Sequence, residues 1–280
     1  MRIFVAGASG VLGRAFTRRA LAAGHEVIGM TRSRRGAGTV QSLGATPVLA
    51  DAFDRDGLMR VVAEAHPDVV VHLLTDLASG DSASNARIRT DGTRNLILAS
   101  RAAGVNRLIA ESISWVHPSG TDPATEDSPL DLDAPEPRST TIRGVLALEN
   151  SVQEIREGLI LRFGQLYGPG TWYAQDGRWA DAARAGKLAA TDNVTSFVHV
   201  EDAAEATLQA LTWPAGIWNV VDDEPAAGSA WVPVFASAIG ASRPAPEIGG
   251  DIGRPVSNAR AHAQGLELCF PSWRDGFASL

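Results

Sequence analysis

Arg2-Ile3-Phe4-Val5-Ala6-Gly7-Ala8-Ser9-Gly10-Val11-Leu12-Gly13 opens the chain with an apolar run followed by glycines spaced G-x-x-G-x-x-G. Ile3 to Ala6 predicts a buried strand. Arg14 to Ala23 predicts a helix whose apolar positions are Ala15, Phe16, Ala20, Leu21 and Ala23. Strand, glycine turn and helix in that order predict a dinucleotide cradle. Gly7 permits the tight turn, Gly10 lets backbone approach a pyrophosphate, and Gly13 lets helix and strand pack closely. Ser9, Val11 and Leu12 complete the phosphate-facing stretch, where free N–H groups and the helix dipole favour negative charge.

A second apolar strand, Glu26 to Met30, runs into Thr31-Arg32-Ser33-Arg34-Arg35, and no acidic residue occurs from Val27 to Ala50. An acid near this strand end takes the ribose hydroxyls of NAD, whereas arginine accommodates a 2′-phosphate. The expected cofactor is therefore NADP(H), with Arg32 leading and Ser33, Arg34 and Arg35 beside it. A third strand, Thr46 to Ala50, ends at Asp51 and Ala52. Asp51 either meets an adenine amino group or caps the helix starting near Asp54. The fourth strand, Asp68 to Leu74, brings Leu73, Leu74 and Thr75 toward the cofactor, with His72 as a packed core histidine.

A long helix is expected over Ser84 to Ala103, with Ile88, Gly92, Leu96 and Ala99 on one face. A fifth strand, Arg107 to Glu111, ends in Ser112-Ile113-Ser114-Trp115. This alternation predicts an α/β Rossmann-type doubly wound parallel sheet with ligands at the carboxyl ends of its strands. From His117 to Arg138, five prolines and six acidic residues predict a loop over the site. A helix over Thr140 to Glu157 and a strand over Leu159 to Phe163 follow. Residues 1–165 are expected to form the dinucleotide-binding domain. Residues 166–280 are expected to form a smaller substrate lobe, with about 196–222 returning to the first domain. His199 and Asp202 are expected at a strand-to-helix junction, Asp202 being its N-cap.

The 280 residues carry 25 basic and 32 acidic side chains, a net −7 that gives nucleic-acid binding no electrostatic support. A single cysteine, Cys269, excludes an intrachain disulfide or a cysteine-built metal site. No apolar run approaches the ~18 residues of a membrane span, and a chain opening on its first strand is expected to have no leader. The expectation is a cytoplasmic protein with a small-molecule substrate, no nucleic-acid or membrane partner, and no metal.

Several stretches together resemble the extended short-chain dehydrogenases/reductases of the NAD-dependent epimerase/dehydratase type. They are Gly7 to Gly13, Asp91-Gly92-Thr93-Arg94-Asn95-Leu96, Ser112, Leu161-Arg162, Tyr167-Gly168-Pro169-Gly170, Phe197 to Asp202 and Asn219 to Pro225. The resemblance implies a Ser or Thr after the fifth strand and a Tyr-x-x-x-Lys on the next helix. The lysine holds the nicotinamide ribose and lowers the tyrosine pKa, so that the phenol exchanges a proton while hydride moves. Ser112 matches the serine. If Glu149 matches the family's glutamate, Thr141 stands at the tyrosine position and Val145 at the lysine position. No register restores the pair, because the only tyrosines are Tyr167 and Tyr173 and the only lysine is Lys187. Arg89 replaces an asparagine common in the family. It contacts cofactor, contacts an anionic substrate, or lies along a helix surface. The resemblance also implies a homodimer paired through the helices at 84–103 and 140–157.

Three chemistries remain. Ser112 and Thr141 polarise a carbonyl while NADPH delivers hydride; or Tyr167 or His117 replaces the missing acid; or the cofactor never turns over. The leading reading is an NADP(H)-dependent oxidoreductase acting on a small carbonyl or alcohol. The alternative is a non-redox isomerase, lyase or cyclase, or an NADP(H)-binding sensor. Ser114, Gln165, Trp172, Tyr173 and Arg178 are the expected substrate wall, with Trp115 packing beside it.

Overall fold

The computed structural model describes residues 1–76 and 82–280. Strand and helix alternate as β1 (Arg2–Ala6), α1 (Val11–Ala22), β2 (Glu26–Thr31), α2 (Arg34–Ser42), β3 (Thr46–Leu49), α3 (Arg55–Ala65) and β4 (Val69–His72). Next come α4 (Ser82–Arg87), a π-helical turn (Ile88–Gly92), α5 (Thr93–Ala102), β5 (Arg107–Ile113), α6 (Arg138–Val152) and β6 (Glu157–Phe163). Shorter elements follow: β7 (Gln165–Tyr167), α7 (Arg178–Arg184), β8 (Val194–Thr195), β9 (Phe197–His199), α8 (Val200–Gln209) and β10 (Gly216–Val220). The chain finishes with β11 (Ala226–Ala227), α9 (Gly228–Ala238), α10 (Ala259–Ala263) and α11 (Trp273–Ala278).

Seven strands form one parallel sheet in the order β10-β6-β5-β4-β1-β2-β3. The direction of winding reverses between β1 and β4, the crevice where doubly wound sheets bind ligands. Register fixes what meets there. Ala6 lies level with Met30 on β2 and His72 on β4, and His72 lies level with Ala110 on β5. The residues one step beyond that row are Gly7, Leu73 and Glu111.

The expected helix over 84–103 is broken by the π-turn. There the Thr93 N–H bonds back to the Ile88 carbonyl, five residues earlier. The helix expected over 140–157 spans Arg138–Val152, because the Glu157 N–H joins the Asn106 carbonyl at 2.9 Å and starts β6. Capping follows side-chain chemistry. The Asp54 carboxylate accepts from the Gly57 N–H at 3.0 Å, and the Ser33 hydroxyl accepts from the Gly36 N–H at 3.0 Å. Each such cap contributes about 1 kcal/mol.

Two compact units emerge. The first comprises Met1–Ser112, Asp131–Leu161 and Ala204–Ile217; the second comprises Ile113–Leu130, Arg162–Ala203 and Trp218–Leu280. This differs from the expected division: residues 113–130 group with the second unit, and only 204–217 return to the first. The reason lies in backbone pairing. The Ala124 N–H donates to the Pro255 carbonyl at 2.8 Å, the Ser257 N–H to the Ala124 carbonyl at 2.8 Å, and the Gly120 N–H to the Gly253 carbonyl at 3.0 Å.

The first unit buries Phe4, Leu58, Leu96, Ile97, Leu108 and Ile160 in an aliphatic core. The second is centred on aromatic rings: Tyr167, Tyr173, Phe197, Trp231, Phe235, Trp273 and Phe277. Among the described residues, no helix is long and apolar enough to cross a membrane.

Candidate nucleotide and reaction site

The cradle is built from backbone, and its glycines are sterically required. Gly7 has φ +95°, and a Cβ there would lie 2.5 Å from the Leu73 carbonyl oxygen. A Cβ on Gly13 would lie 2.2 Å from the Gly7 carbonyl oxygen. Gly10 is the N-cap of α1 with no side-chain cap, its N–H bonds to the Gly7 carbonyl at 3.0 Å, and no acidic residue occupies the first turn. The N–H groups of Val11, Leu12 and Gly13 thus have no intrahelical acceptor and stand at the positive end of the dipole. A turn drawn this tight, with N–H groups at the positive end of the helix, fits a pyrophosphate.

The turn after β2 is held by polar contacts. The Ser9 and Thr31 hydroxyls lie 3.1 Å apart, and Ser33 is committed to capping α2. Arg32, Arg34 and Arg35 are exposed around this cap. At the end of β3, Asp51 is not the cap of α3, which Asp54 supplies. The exposed Asp51 carboxylate accepts instead from the Phe53 N–H at 2.9 Å. The Ala52 side chain is buried, and its carbonyl accepts from Asn95 Nδ2 at 2.9 Å. Beyond β4, Leu73 is buried, Leu74 half-buried and Thr75 exposed.

A polar cluster sits at the carboxyl ends of β4 and β5. The Leu74 N–H donates to His72 Nδ1 at 3.2 Å, so His72 Nε2 carries the proton and donates to Thr93 Oγ1 at 2.7 Å. Burial, reinforced by the Arg89 charge, holds the His72 pKa down to about 4. The histidine is a neutral core group, as its position in an apolar strand suggests.

Arg89 occupies the π-turn and is 3% exposed, which removes the surface alternative. Burial lowers its pKa, while the carboxylates of Glu111 and Glu149 act in the opposite direction. Ser112 is fully buried and donates to Glu149 Oε1 at 2.8 Å. A serine has one proton to donate. Here that proton forms the bond to Glu149. Val145 is fully buried on α6, and Thr141 is half-buried near the start of the same helix.

Glu111 is a perturbed carboxyl that the sequence reading did not single out. Desolvation raises its pKa to about 7, against an opposing pull from the Arg89 charge. A carboxyl that titrates near neutrality at a strand's carboxyl end has the character of a functional group. Its only sequence signal is an acid inside an otherwise apolar strand.

In the second unit the alternative acids are accounted for by packing. Tyr167 is fully buried, its hydroxyl donates to the Ser272 carbonyl at 3.5 Å, and it rests against His199 and Phe277 at ring distances of 5.1 and 5.2 Å. Burial pushes its pKa well above the ordinary phenol value, so it is a core residue rather than a proton donor. His117 is buried, and its Nδ1–H donates to the Pro129 carbonyl at 2.9 Å. Tyr173, expected on the substrate wall, is instead surrounded by Phe197, Trp231 and Phe235 at 5.3, 5.7 and 5.7 Å. Asp202 lies inside the first turn of α8 rather than at its N-cap, and accepts from the Cys269 and Phe270 N–H groups at 2.9 Å each. Ser114 is buried in strand-like pairing, its N–H on the Phe163 carbonyl at 2.9 Å. Trp115 is exposed, and Gln165 is half-buried on β7. The exposed Arg178 guanidinium lies over Trp172 at 5.2 Å and Trp179 at 5.6 Å, a cation resting on two half-buried indoles.

The sheet order, the switch point and the glycine cradle define a Rossmann-type, doubly wound nucleotide-binding fold. Within that class, the chain belongs to the NAD dependent epimerase/dehydratase family, whose model matches residues 3–220. It is 41% identical over 304 aligned positions, covering 99% of both chains, to a Streptomyces protein named 3-diazoavenalumate denitrifying reductase. It is 28% identical over 225 positions to the 2′-dehydrokanamycin reductase of Streptomyces kanamyceticus, covering 75% of this chain and 58% of that one. The UDP-glucose 4-epimerase of Thermus thermophilus, solved with NAD, superposes with a TM-score of 0.76 at 25% identity, over 99% and 97% of the two chains. The Bordetella bronchiseptica enzyme WbmG, solved with NAD and UDP, superposes at 0.81 with 22% identity over 100% and 93%, a likeness of fold alone.

Proposed function

We propose that this chain is an NADP(H)-dependent reductase whose acceptor carbon is electron-poor without prior protonation. An aryl diazonium group on a small carboxylate, the cationic form of an aromatic diazo substituent, is the acceptor that fits best. The observation that carries this reading is the fate of the proton-handling positions. In the register that matches Glu149 to the family glutamate, Thr141 and Val145 take the Tyr and Lys positions, and the Ser112 hydroxyl donates to Glu149 Oε1 at 2.8 Å. Reducing a carbonyl builds negative charge on oxygen and benefits from a positioned acid or donor. Reducing a diazonium carbon does not. A bound dinucleotide would supply the hydride; its electron pair would form the new C–H bond as the C–N pair leaves with N₂, and no proton is needed. The substrate loses one positive charge and the nicotinamide gains it, so charge balances. The similarity to the Streptomyces diazo reductase supports the same acceptor.

The cradle residues Gly7, Ser9, Gly10, Val11, Leu12 and Gly13 would hold the pyrophosphate. Arg32, with Arg34 and Arg35, would take the 2′-phosphate, as charge-assisted bonds from exposed guanidinium groups do. Arg178 on its indole pair suits a substrate carboxylate. Single-turnover mixing with 4-deuterated NADPH tests the reading. Expected are loss of reduced nicotinamide absorbance, N₂ release and deuterium on the former diazo carbon. Turnover of a carbonyl panel without turnover of a diazo acid would overturn the acceptor assignment. Binding of NADPH with no turnover of either would return the chain to the sensor class.

A further inference from the structure

The polar cluster at the end of β5 is left over by the chemistry just described, which needs no acid. Its placement gives it another task. Ala6, His72 and Ala110 are level on the adjacent strands β1, β4 and β5, and Gly7 and Glu111 are the next residues along the outer two chains. Two strand spacings, roughly 10 Å, therefore separate the pyrophosphate turn from Glu111. The adenosine half of a dinucleotide runs toward the end of β2. The nicotinamide half then runs the other way, over β4 toward β5.

Resting on the cofactor reading above, we propose that Glu111 sets the charge facing the nicotinamide: as a carboxylate it favours the cationic oxidised ring over the neutral reduced ring, and so drives hydride out of the cofactor. The π-turn is the companion device. It holds Arg89 buried, where the arginine charge acts on Glu111 of β5 and on Glu149 of α6. π-turns recur where a side chain is needed out of regular helical register. From β4, His72 contributes no charge, since it is neutral above about 4. Arg89 is the charge that acts on Glu111 among the described residues, and it keeps a desolvated carboxyl within reach of neutral pH. Glu111 thus gains its negative charge near about 7, inside the working range of an enzyme.

The test is binding. Affinities for NADP⁺ and NADPH are measured by titration calorimetry between about pH 6 and about pH 8. The 2′-phosphate also titrates in this range, but both cofactor forms carry it, so it cancels in their ratio. The oxidised-over-reduced affinity ratio is expected to rise about tenfold with pH. Glu111→Gln flattens that rise, and Glu111→Asp retains it with a shifted midpoint. A flat ratio in the unmodified protein, or a rise that survives Glu111→Gln, overturns the proposal. Diazo turnover is scored separately. Its absence alongside an intact pH-dependent ratio sinks the reductase reading alone, while turnover with a flat ratio sinks the Glu111 role alone.

Discussion

The turn after β1 and the end of β5 lie on the same level of one sheet and are made on opposite principles. The first offers N–H groups on a tightly drawn backbone, and its side chains matter by being absent. The second offers side chains: a buried arginine, two carboxyls and a serine in the positions around which the family's proton chemistry is organised. Backbone recognition of a pyrophosphate tolerates little variation, because any Cβ at Gly7 or Gly13 collides with a carbonyl. A side-chain cluster can be rewritten one residue at a time while the sheet behind it stays the same. That contrast would let a chain keep a nucleotide-binding turn while the chemistry beside it changes.

The contrast is easiest to break at the cradle. Gly13→Val drives Cγ atoms into the Gly7 carbonyl, and NADPH affinity is expected to fall by on the order of 100-fold, read by fluorescence titration. Near-normal affinity in that variant would mean that the turn does not seat the pyrophosphate. A smaller effect is expected at the β2 end. Arg32→Asp should weaken NADPH by roughly 10- to 100-fold and NADH by less than about threefold, because only the 2′-phosphate loses its partner. Equal losses would remove Arg32 from phosphate recognition. The smallest effect on chemistry belongs to Ser112→Ala. Removing the donor to Glu149 should lower unfolding free energy by about 1–3 kcal/mol in urea melts and leave single-turnover rates within about threefold. A rate loss of two orders of magnitude would restore the serine to the reacting centre and erase the distinction between the two regions.

How much of this was legible in the sequence follows the same division. The cradle and the parallel order were, since glycine spacing and apolar runs answer to local geometry. The arginines after β2 were visible too, though their reading rests on position at a strand end. What could not be read was burial. Arg89 is an ordinary charge on a helical pattern until a π-turn and two neighbouring elements enclose it. Glu111 looks like the last residue of a strand until desolvation moves its titration. Tyr167 and Tyr173 looked available because their partners, Trp231, Phe235 and Phe277, arrive from more than 50 residues away. Asp202 looked like a cap because Cys269 and Phe270 lie even farther along the chain.

The π-turn also carries a rule about length. It holds one residue more than an α-helical turn, so deleting any single residue from 88–92 would let the segment wind as plain α-helix. The segments on either side would keep their faces, because the turn takes up the extra residue locally, and the residues of the turn itself would shift. Thus a loss of three nucleotides in the coding sequence, with no residue in the cradle touched, would be enough to shift the inward-facing cation.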